Sequence, residues 1–352
     1  MVSLFLAATL SVGFTVNNDT PVSRHHALVD AELPLVAGAA SDPNQLRVIG
    51  YDQLSMAAQI TAAATWPDRS LKTVRAIFTT DIEPGDTKTW TLTAGHSTTR
   101  QPVAAGITTE DGILLLHVGK MLYRLGDHLG PVTVETVRGE RYVAGPPERE
   151  TIEETGPVRA TALRDGCLLR DHDGLFRCTQ RYSVIANQPS VRVTTHIELA
   201  PGKDAPSVKC VWLAVRPASH LRKSIVLAVA GGTHTVALGD TRRLEQPVVP
   251  ARLVSDRQHP GWIDYRSDAS AMLFAVKDFW KRAPKALDIQ ADGTTRYELR
   301  SAAAPPLRLA PGMVLEDEFI LWFHAAGESF DDALMEMNQP LKAVITPPVK
   351  QP

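Results

Sequence analysis

Short segments in which apolar and polar side chains alternate recur along this sequence, and turn residues separate them. The clearest is Val191 to Leu199, where the odd-numbered residues are aliphatic or Thr and the even-numbered ones are Arg, Thr, His and Glu. Because successive side chains of a β-strand point to opposite faces, this period of two is typical of strands with one buried face. The best helical spacing lies in 327–338. The pattern predicts an all-β chain with a short C-terminal helix.

The predicted strands fall into two groups. In residues 1–98, about six short strands are joined by turns such as Pro84-Gly85-Asp86, which is typical of a small closed barrel or sandwich. Residues 106–325 carry longer strands and predict a large antiparallel β-sandwich. The predicted strands of this group include Ile113 to Val118, Val158 to Leu163 and Leu168 to Arg170. A polar, unpatterned segment before residue 106 is predicted to be a linker. Residues 326–352 are predicted to form the short helix and a proline-rich tail.

The first sixteen residues combine an apolar composition with the same period of two. A secretory signal peptide carries a basic segment at its start, whereas the first basic residue here is Arg24. We therefore predict that Met1 to Val16 is retained and contributes a strand, with a cleaved leader as the alternative. Localisation stays open, because a chain without a convincing signal peptide is still compatible with an extracellular or virion-associated protein.

The charge balance argues against two classes of partner. The chain has 37 basic and 39 acidic residues and a net charge of -2, so it offers no electrostatic basis for binding nucleic acid. No apolar run approaches the length that crosses a membrane. We predict neither nucleic acid nor membrane as a partner. Polysaccharide, acidic or neutral, and protein partners or self-assembly remain open.

Cysteine and histidine spacing gives no support for a metal site. Cys167, Cys178 and Cys210 form no CxxC pair, which argues against a zinc knuckle. A hairpin could bring Cys167 and Cys178 together as a disulfide, but buried free thiols are the simpler interpretation. Asp171-His172-Asp173 is better explained as a hairpin turn before Gly174, and His25-His26 lacks a third ligand. We predict no metal and no cofactor.

An aromatic and basic segment, Ser255 to Arg266, is predicted to be a loop and is one candidate ligand site. Sugars stack their C–H faces on aromatic rings such as Trp262, and an arginine, Arg257 or Arg266, could pair with a uronate carboxylate. A lyase also needs a base, for which His259 or Tyr265 would serve. The plainer alternative is that Trp262 covers the edge of the sandwich and the charged groups are solvated.

A second candidate follows the strand Met272 to Val276, where Lys277 to Arg282 could hold an anionic sugar or form a solvated surface. Neighbouring strand residues face opposite ways, so we predict that Phe279 is buried and that Trp280 is exposed. Lys277 and Trp280 are the ligand-binding candidates in this segment. Catalytic residues cannot be assigned.

Several motifs together resemble the exo-rhamnogalacturonan lyase family of polysaccharide lyases. They follow one another in the order Pro21 to Leu35, Trp66 to Ser70, Lys277 to Leu287 and Leu309 to His324. The resemblance implies an N-terminal RIFT barrel, a central β-sandwich and a sugar-directed function. The family's turn usually has Gly where this chain has Arg69, and its next strand usually has Trp where this chain has Val74.

The resemblance also implies a C-terminal helical toroid, which helps to form the family's active-site cleft and for which this sequence has no counterpart after His324. We therefore expect a carbohydrate-recognition or accessory protein that is not catalytic alone. One alternative is a structural subunit of a virion or extracellular assembly that reuses these β-domains. Another is a polysaccharide lyase whose helical domain is missing or on another chain.

Overall fold

A computed structural model of the chain describes residues 10–95, 105–111, 113–118, 120–171, 173–229, 232–246, 260–281 and 284–345. The described residues are mostly β-strands joined by turns, as the alternation predicts. They form a four-stranded sheet, two three-stranded sheets and a large antiparallel sheet of 16 strands. The predicted all-β class with a short C-terminal helix is confirmed.

The strands of the N-terminal group enclose one hydrophobic cluster. Phe14, Phe78 and Trp90 are fully buried at its centre and pack ring against ring, with centroids 5.5–6.2 Å apart. The predicted strand at the start of the chain is present from Ser11, while residues 1–9 lie outside the described part. The strands are β1 (Ser11–Asn17), β2 (Arg24–Pro34), β3 (Leu46–Ile49), β4 (Ala58–Thr65), β5 (Leu71–Ile82) and β6 (Thr87–Ala94).

The tight turn Trp66 to Ser70 joins β4 to β5. The Trp66 N–H donates to the Ser70 carbonyl at 2.8 Å, and the Ser70 hydroxyl and N–H both donate to the Asp68 carboxylate. Arg69 has a φ of 69°, a left-handed conformation that favours glycine. The strain at Arg69 gives a physical reason why the lyase family usually has glycine at this position of the turn.

The second group of strands encloses a larger hydrophobic cluster, which runs from Ala105 to Leu321. The strands are β7 (Ile107–Glu110), β8 (Ile113–Val118), β9 (Met121–Arg124), β10 (Thr133–Thr136), β11 (Arg141–Ala144), β12 (Arg149–Glu154), β13 (Arg159–Arg170), β14 (Asp173–Ile185), β15 (Ser190–Leu199), β16 (Ser207–Val215), β17 (Ser224–Val229), β18 (Gly232–Val236), β19 (Arg242–Gln246), β20 (Trp262–Arg266), β21 (Ser270–Val276), β22 (Lys285–Ile289), β23 (Thr295–Arg300), β24 (Leu307–Arg308) and β25 (Val314–Ala325).

The order of neighbours in the large sheet places the last long strand, β25, between β21 and β15. Strand β15 shows the predicted alternation, because the odd-numbered residues from Val191 to Ile197, including Thr195, are fully buried while the even-numbered residues between them are partly exposed. A four-residue apolar cluster, Leu28, Ile77, Val158 and Ile185, joins β2 and β5 to the sandwich. The proposed boundaries at residues 98 and 106 remain a prediction.

The three cysteines are free, so the disulfide is wrong. Cys178 and Cys210 are buried, as the simpler interpretation predicts, whereas Cys167 is partly exposed. In the pairing of β13 with β14, Cys167 lies opposite Arg177 and Cys178 lies opposite Gly166. The two thiols therefore occupy successive positions along the ladder and point to opposite faces of the sheet. Burial raises the pKa of the Cys178 thiol to about 12.

The C-terminal segment returns to the N-terminal group of strands, which the sequence does not indicate. The predicted helix is present as α1 (Asp331–Asn338), and Leu341 then enters the cluster around Phe14. A final strand, β26 (Ala343–Ile345), pairs with β1 through Phe14 and Ile345. The prolines of the predicted tail at 347, 348 and 352 lie outside the described residues.

Candidate functional site

Two of the predicted ligand-binding residues, Trp262 and Trp280, lie in one cleft of about 280 Å³. Trp262 begins β20, Trp280 lies in the turn that follows β21, and α1 forms the opposite wall. We call this the tryptophan cleft. Its lining residues are Pro260, Trp262, Trp280, Leu334, Met335, Asn338 and Gln339.

The two indoles have different surroundings. Trp262 is 8% exposed, and its ring packs edge-on against Phe330 with centroids 4.9 Å apart. Trp280 is 36% exposed, and the Lys281 ammonium lies 5.0 Å from its ring centroid. Trp262 therefore forms a fixed wall, whereas Trp280 presents a ring surface that a ligand can reach.

Close packing below the cleft fixes the turn that carries Trp280. Phe279 is fully buried, as predicted from the alternation of strand β21. Gly261 has a φ of 74°, and a Cβ built on it would lie 2.2 Å from the Phe279 Cβ. The Gly261 carbonyl also accepts a hydrogen bond from Val276 at 3.0 Å. Only glycine at this position allows the segment before β20 to approach the Phe279 side chain so closely.

Helix α1 supplies the polar wall of the cleft. The Asn338 side chain is already engaged, because its Oδ1 accepts from the Asp278 N–H at 2.8 Å and its Nδ2 donates to the Leu334 carbonyl at 3.0 Å. The bond with Asp278 ties the helix to the turn that carries Trp280, whereas the bond with Leu334 lies within the helix. The side chain of Gln339 is exposed and lies at the edge of the cleft. It can donate to and accept from a ligand hydroxyl.

Buried ion pairs hold α1 against β2. The Arg24 side chain is fully buried, and it contacts Glu336 at 2.7 Å and Asp332 at 3.1 Å. Asp332 also accepts from the His25 N–H at 2.7 Å. Burial raises the pKa of Glu336, and the neighbouring guanidinium groups of Arg192 and Arg24 oppose that rise. The polar wall of the cleft is therefore anchored to the first group of strands.

The structure separates Tyr265 from the cleft and corrects the interpretation of the aromatic segment as one loop. Trp262 to Arg266 is a strand, so Trp262 and Tyr265 point to opposite faces. Tyr265 is fully buried in the sandwich core, and its hydroxyl donates to Thr295 at 2.6 Å. Burial raises the pKa of this phenol well above its usual value, which does not suit a general base.

The cationic candidates that the structure describes have carboxylate partners. The Arg266 Nε donates to buried Asp264 at 2.5 Å, and the Lys277 ammonium donates to Glu318 at 2.7 Å. Lys281 pairs with Asp278 at 2.7 Å. Positive charge near the cleft is therefore largely compensated. Two further candidates, Arg257 and His259, lie outside the described residues, as do His172 and Arg282.

A second, larger cleft of about 650 Å³ lies at one end of the sandwich, where the sequence gives no signal for a site. Its walls are mainly apolar and include Phe323, Met121 and Leu221. The imidazole of His324 is enclosed at its edge, with Nε2 3.0 Å from Asp264 and Nδ1 3.0 Å from the Ala325 carbonyl. Both nitrogens therefore already face oxygen acceptors within the protein.

The described part of the chain gives no support for a metal site or for a membrane-spanning helix. Within it, no group of three or more His, Cys, Asp or Glu side chains is placed to hold a metal ion. The same residues include no helix that is long and apolar enough to span a bilayer.

Comparisons with known proteins show the fold alone. A glycosyl hydrolase family 38 protein from Enterococcus faecalis aligns with a TM-score of 0.56 and 12% identity over 96% of this chain. An alpha-mannosidase from the same organism aligns with a TM-score of 0.55 and 11% identity, also over 96% of this chain. A galactosidase domain of an alpha-galactosidase-sucrose kinase has a TM-score of 0.38, too low to carry an argument.

The chain spans about half the length of the two Enterococcus faecalis proteins, 47% and 46% respectively. No protein-family profile matches the sequence, and no curated protein matches it significantly. The all-β fold is thus shared with parts of carbohydrate-active proteins. The specific resemblance to rhamnogalacturonan lyases remains a prediction.

Proposed function

We propose that this chain is a carbohydrate-recognition protein, related to the β-domains of rhamnogalacturonan lyases, and that the tryptophan cleft binds a sugar residue. The observation that carries the proposal is the convergence of Trp262 and Trp280 on one cleft beside the exposed amide of Gln339. The similarity in fold to a glycosyl hydrolase family 38 protein and an alpha-mannosidase supports the same class of ligand.

The exposed ring of Trp280 suits the apolar face of a pyranose. The π-face of the Trp280 ring attracts positive charge, and the Lys281 ammonium lies over this ring. The C–H groups of a sugar face carry a partial positive charge and would compete with Lys281 or stack on the other side of the ring. A volume of about 280 Å³ is small for a ligand site, which fits a short glycan segment.

The charge distribution favours a neutral sugar over a uronate. Lys281, Arg266 and Lys277 are each paired with a carboxylate, and a uronate would have to replace one of these partners. Replacing an existing ion pair in a partly buried site carries a desolvation cost that a neutral hydroxyl avoids. The neutral amide of Gln339 can donate to one sugar hydroxyl and accept from another, so no ion pair has to be replaced.

The test is a titration of the full chain with neutral mannose- and galactose-based oligosaccharides and with oligogalacturonate, followed by tryptophan fluorescence and calorimetry. We expect binding of a neutral oligosaccharide, and Trp280→Ala should weaken it by about tenfold or more, as for a central aromatic contact. Trp66→Ala is the matched control, because Lys72 lies over Trp66 at the same 5.0 Å distance.

The proposal fails if no glycan binds at millimolar concentration, or if Trp66→Ala weakens binding as much as Trp280→Ala does. Preferential binding of oligogalacturonate would keep the site but contradict the preference for neutral sugars. Light scattering on the same samples tests the structural alternative, because a large ordered assembly that ignores sugars would favour a structural subunit.

A further inference from the structure

A lysine, an aspartate and a tyrosine meet in the interior of the sandwich. Lys285, at the start of β22, and Asp317, in β25, are 2% and 1% exposed, and Tyr297 in β23 is fully buried. The Lys285 Nζ lies 2.5 Å from the Asp317 Oδ1 and 3.1 Å from the Tyr297 hydroxyl oxygen. The Tyr297 hydroxyl donates in turn to the Asp317 Oδ2.

Aromatic rings surround this group on the core side. Phe274 lies 5.4 Å from the ring of Tyr297 and 5.3 Å from that of Phe319, measured between centroids. All three rings are fully buried. Transfer of an ammonium and a carboxylate into such surroundings carries a large desolvation cost, which their mutual attraction offsets only in part.

We propose that Lys285 and Asp317 condense into an intramolecular isopeptide bond, so that the mature protein carries a covalent link between β22 and β25. Formation of the amide removes both buried charges. The enclosed site cannot hydrate either charged group, and the neutral amide does not need such hydration. Fixed contact at 2.5 Å supplies the proximity that makes such an intramolecular reaction fast relative to its bimolecular counterpart.

The surrounding donors match the steps of the condensation. Proton transfer from the Lys285 ammonium through the Tyr297 hydroxyl to Oδ2 of Asp317 gives a neutral amine and a carboxylic acid. The amine then attacks the Asp317 Cγ and forms the new N–C bond. The Glu318 N–H donates to Oδ1 at 3.0 Å and stabilises the negative charge that develops there. The Tyr297 hydroxyl, bonded to both Nζ and Oδ2, relays a proton from nitrogen to the leaving oxygen.

Atoms and charges balance without any additional reactant. The C–O bond to Oδ2 breaks, two protons of the original ammonium leave with this oxygen as water, and one stays on the amide nitrogen. Neither oxidation nor a cofactor is involved. The bond would join two strands that are not hydrogen-bonded neighbours in the sheet, because β22 lies between β23 and β19 while β25 lies between β21 and β15.

The test is mass spectrometry of the purified full chain under denaturing conditions, followed by tryptic mapping. We expect a mass lower than that of the encoded chain by one water molecule, and a branched peptide that contains both Lys285 and Asp317. Trypsin should fail to cleave after Lys285, because an acylated lysine carries no charge. Two unlinked peptides with unmodified Lys285 and Asp317 would overturn the proposal, as would a water loss located at Asp292-Gly293, where a succinimide can form.

Two controls separate the specific reaction from chance proximity. The Lys277–Glu318 pair has a similar distance, 2.7 Å, but is partly exposed, so it should remain unlinked in the same digest. Tyr297→Phe removes only the hydroxyl group and should lower the linked fraction at least about tenfold, within the range for loss of one proton-transfer group. An unchanged linked fraction in folded Tyr297→Phe would refute the proton relay. If this variant does not fold, the map of the natural chain still decides whether the bond exists.

Discussion

Gly261→Ala is the substitution that tests most directly how the tryptophan cleft is supported. An alanine here must adopt a φ near 74°, which costs about 1–2 kcal/mol for a side chain with a Cβ. Its Cβ would also lie 2.2 Å from the Phe279 Cβ, so no rotamer of Phe279 relieves the contact and the backbone has to move. Overpacking of this kind adds about 1–3 kcal/mol, which gives a total loss of about 2–5 kcal/mol.

Gly85→Ala provides the matched control, because Gly85 has a φ of 75° and no atom lies within 4 Å of the position that an alanine Cβ would occupy. Urea unfolding of both variants, followed by circular dichroism, should show a small shift for Gly85→Ala and a clearly larger one for Gly261→Ala. The difference between the two measures the contact with Phe279 alone. Equal shifts would refute the view that this contact supports the cleft.

Three further predictions rest on single residues. Phe279→Ala should lower the free energy of unfolding by about 3–5 kcal/mol, and Trp280→Ala by clearly less, in parallel thermal melts; the reverse order would contradict the assignment of Trp280 to the surface. Arg69→Gly should raise stability by about 0.5–1 kcal/mol, because relief of the left-handed strain exceeds the entropy cost of glycine; a lower urea midpoint would contradict this. Cys178 should resist a thiol reagent at neutral pH in the folded protein, because burial raises its pKa to about 12 and so removes the thiolate, whereas partly exposed Cys167 should react first.

Most strands could be predicted because the alternation that defines them is local. Strand β8 has the predicted limits, Ile113–Val118. The main difference is β13, which the sequence divides at its polar centre and the structure shows as continuous. Asp165 in that centre accepts from Arg177 at 2.6 Å and from Thr179 at 3.1 Å, both on the neighbouring strand. Such cross-strand pairs stabilise polar strand residues, and no local pattern reveals them.

The candidate site could be predicted only in part, because local alternation is visible in the sequence and contacts between distant segments are not. Alternation is enough to place Phe279 inside and Trp280 outside. The convergence of Trp280 with Trp262 depends on the pairing of β20 with β21, and the polar wall depends on α1. Helix α1 is held there by Arg24, which lies 312 residues before Glu336 in the sequence. A contact at that separation leaves no trace in any short window.

The return of the chain to its first strands has a consequence for synthesis on the ribosome. Arg24 and the edge of β1 emerge before the sandwich, whereas the carboxylates of Asp332 and Glu336 and the strand β26 emerge after it. Until then the nascent chain carries a guanidinium without its ion-pair partners and an open strand edge, which is a site for pairing with other chains. The N-terminal group of strands, although translated before the sandwich, can therefore complete its folding only after the sandwich has been made. Before that point, a chaperone that covers exposed strand edges would protect β1 from intermolecular association.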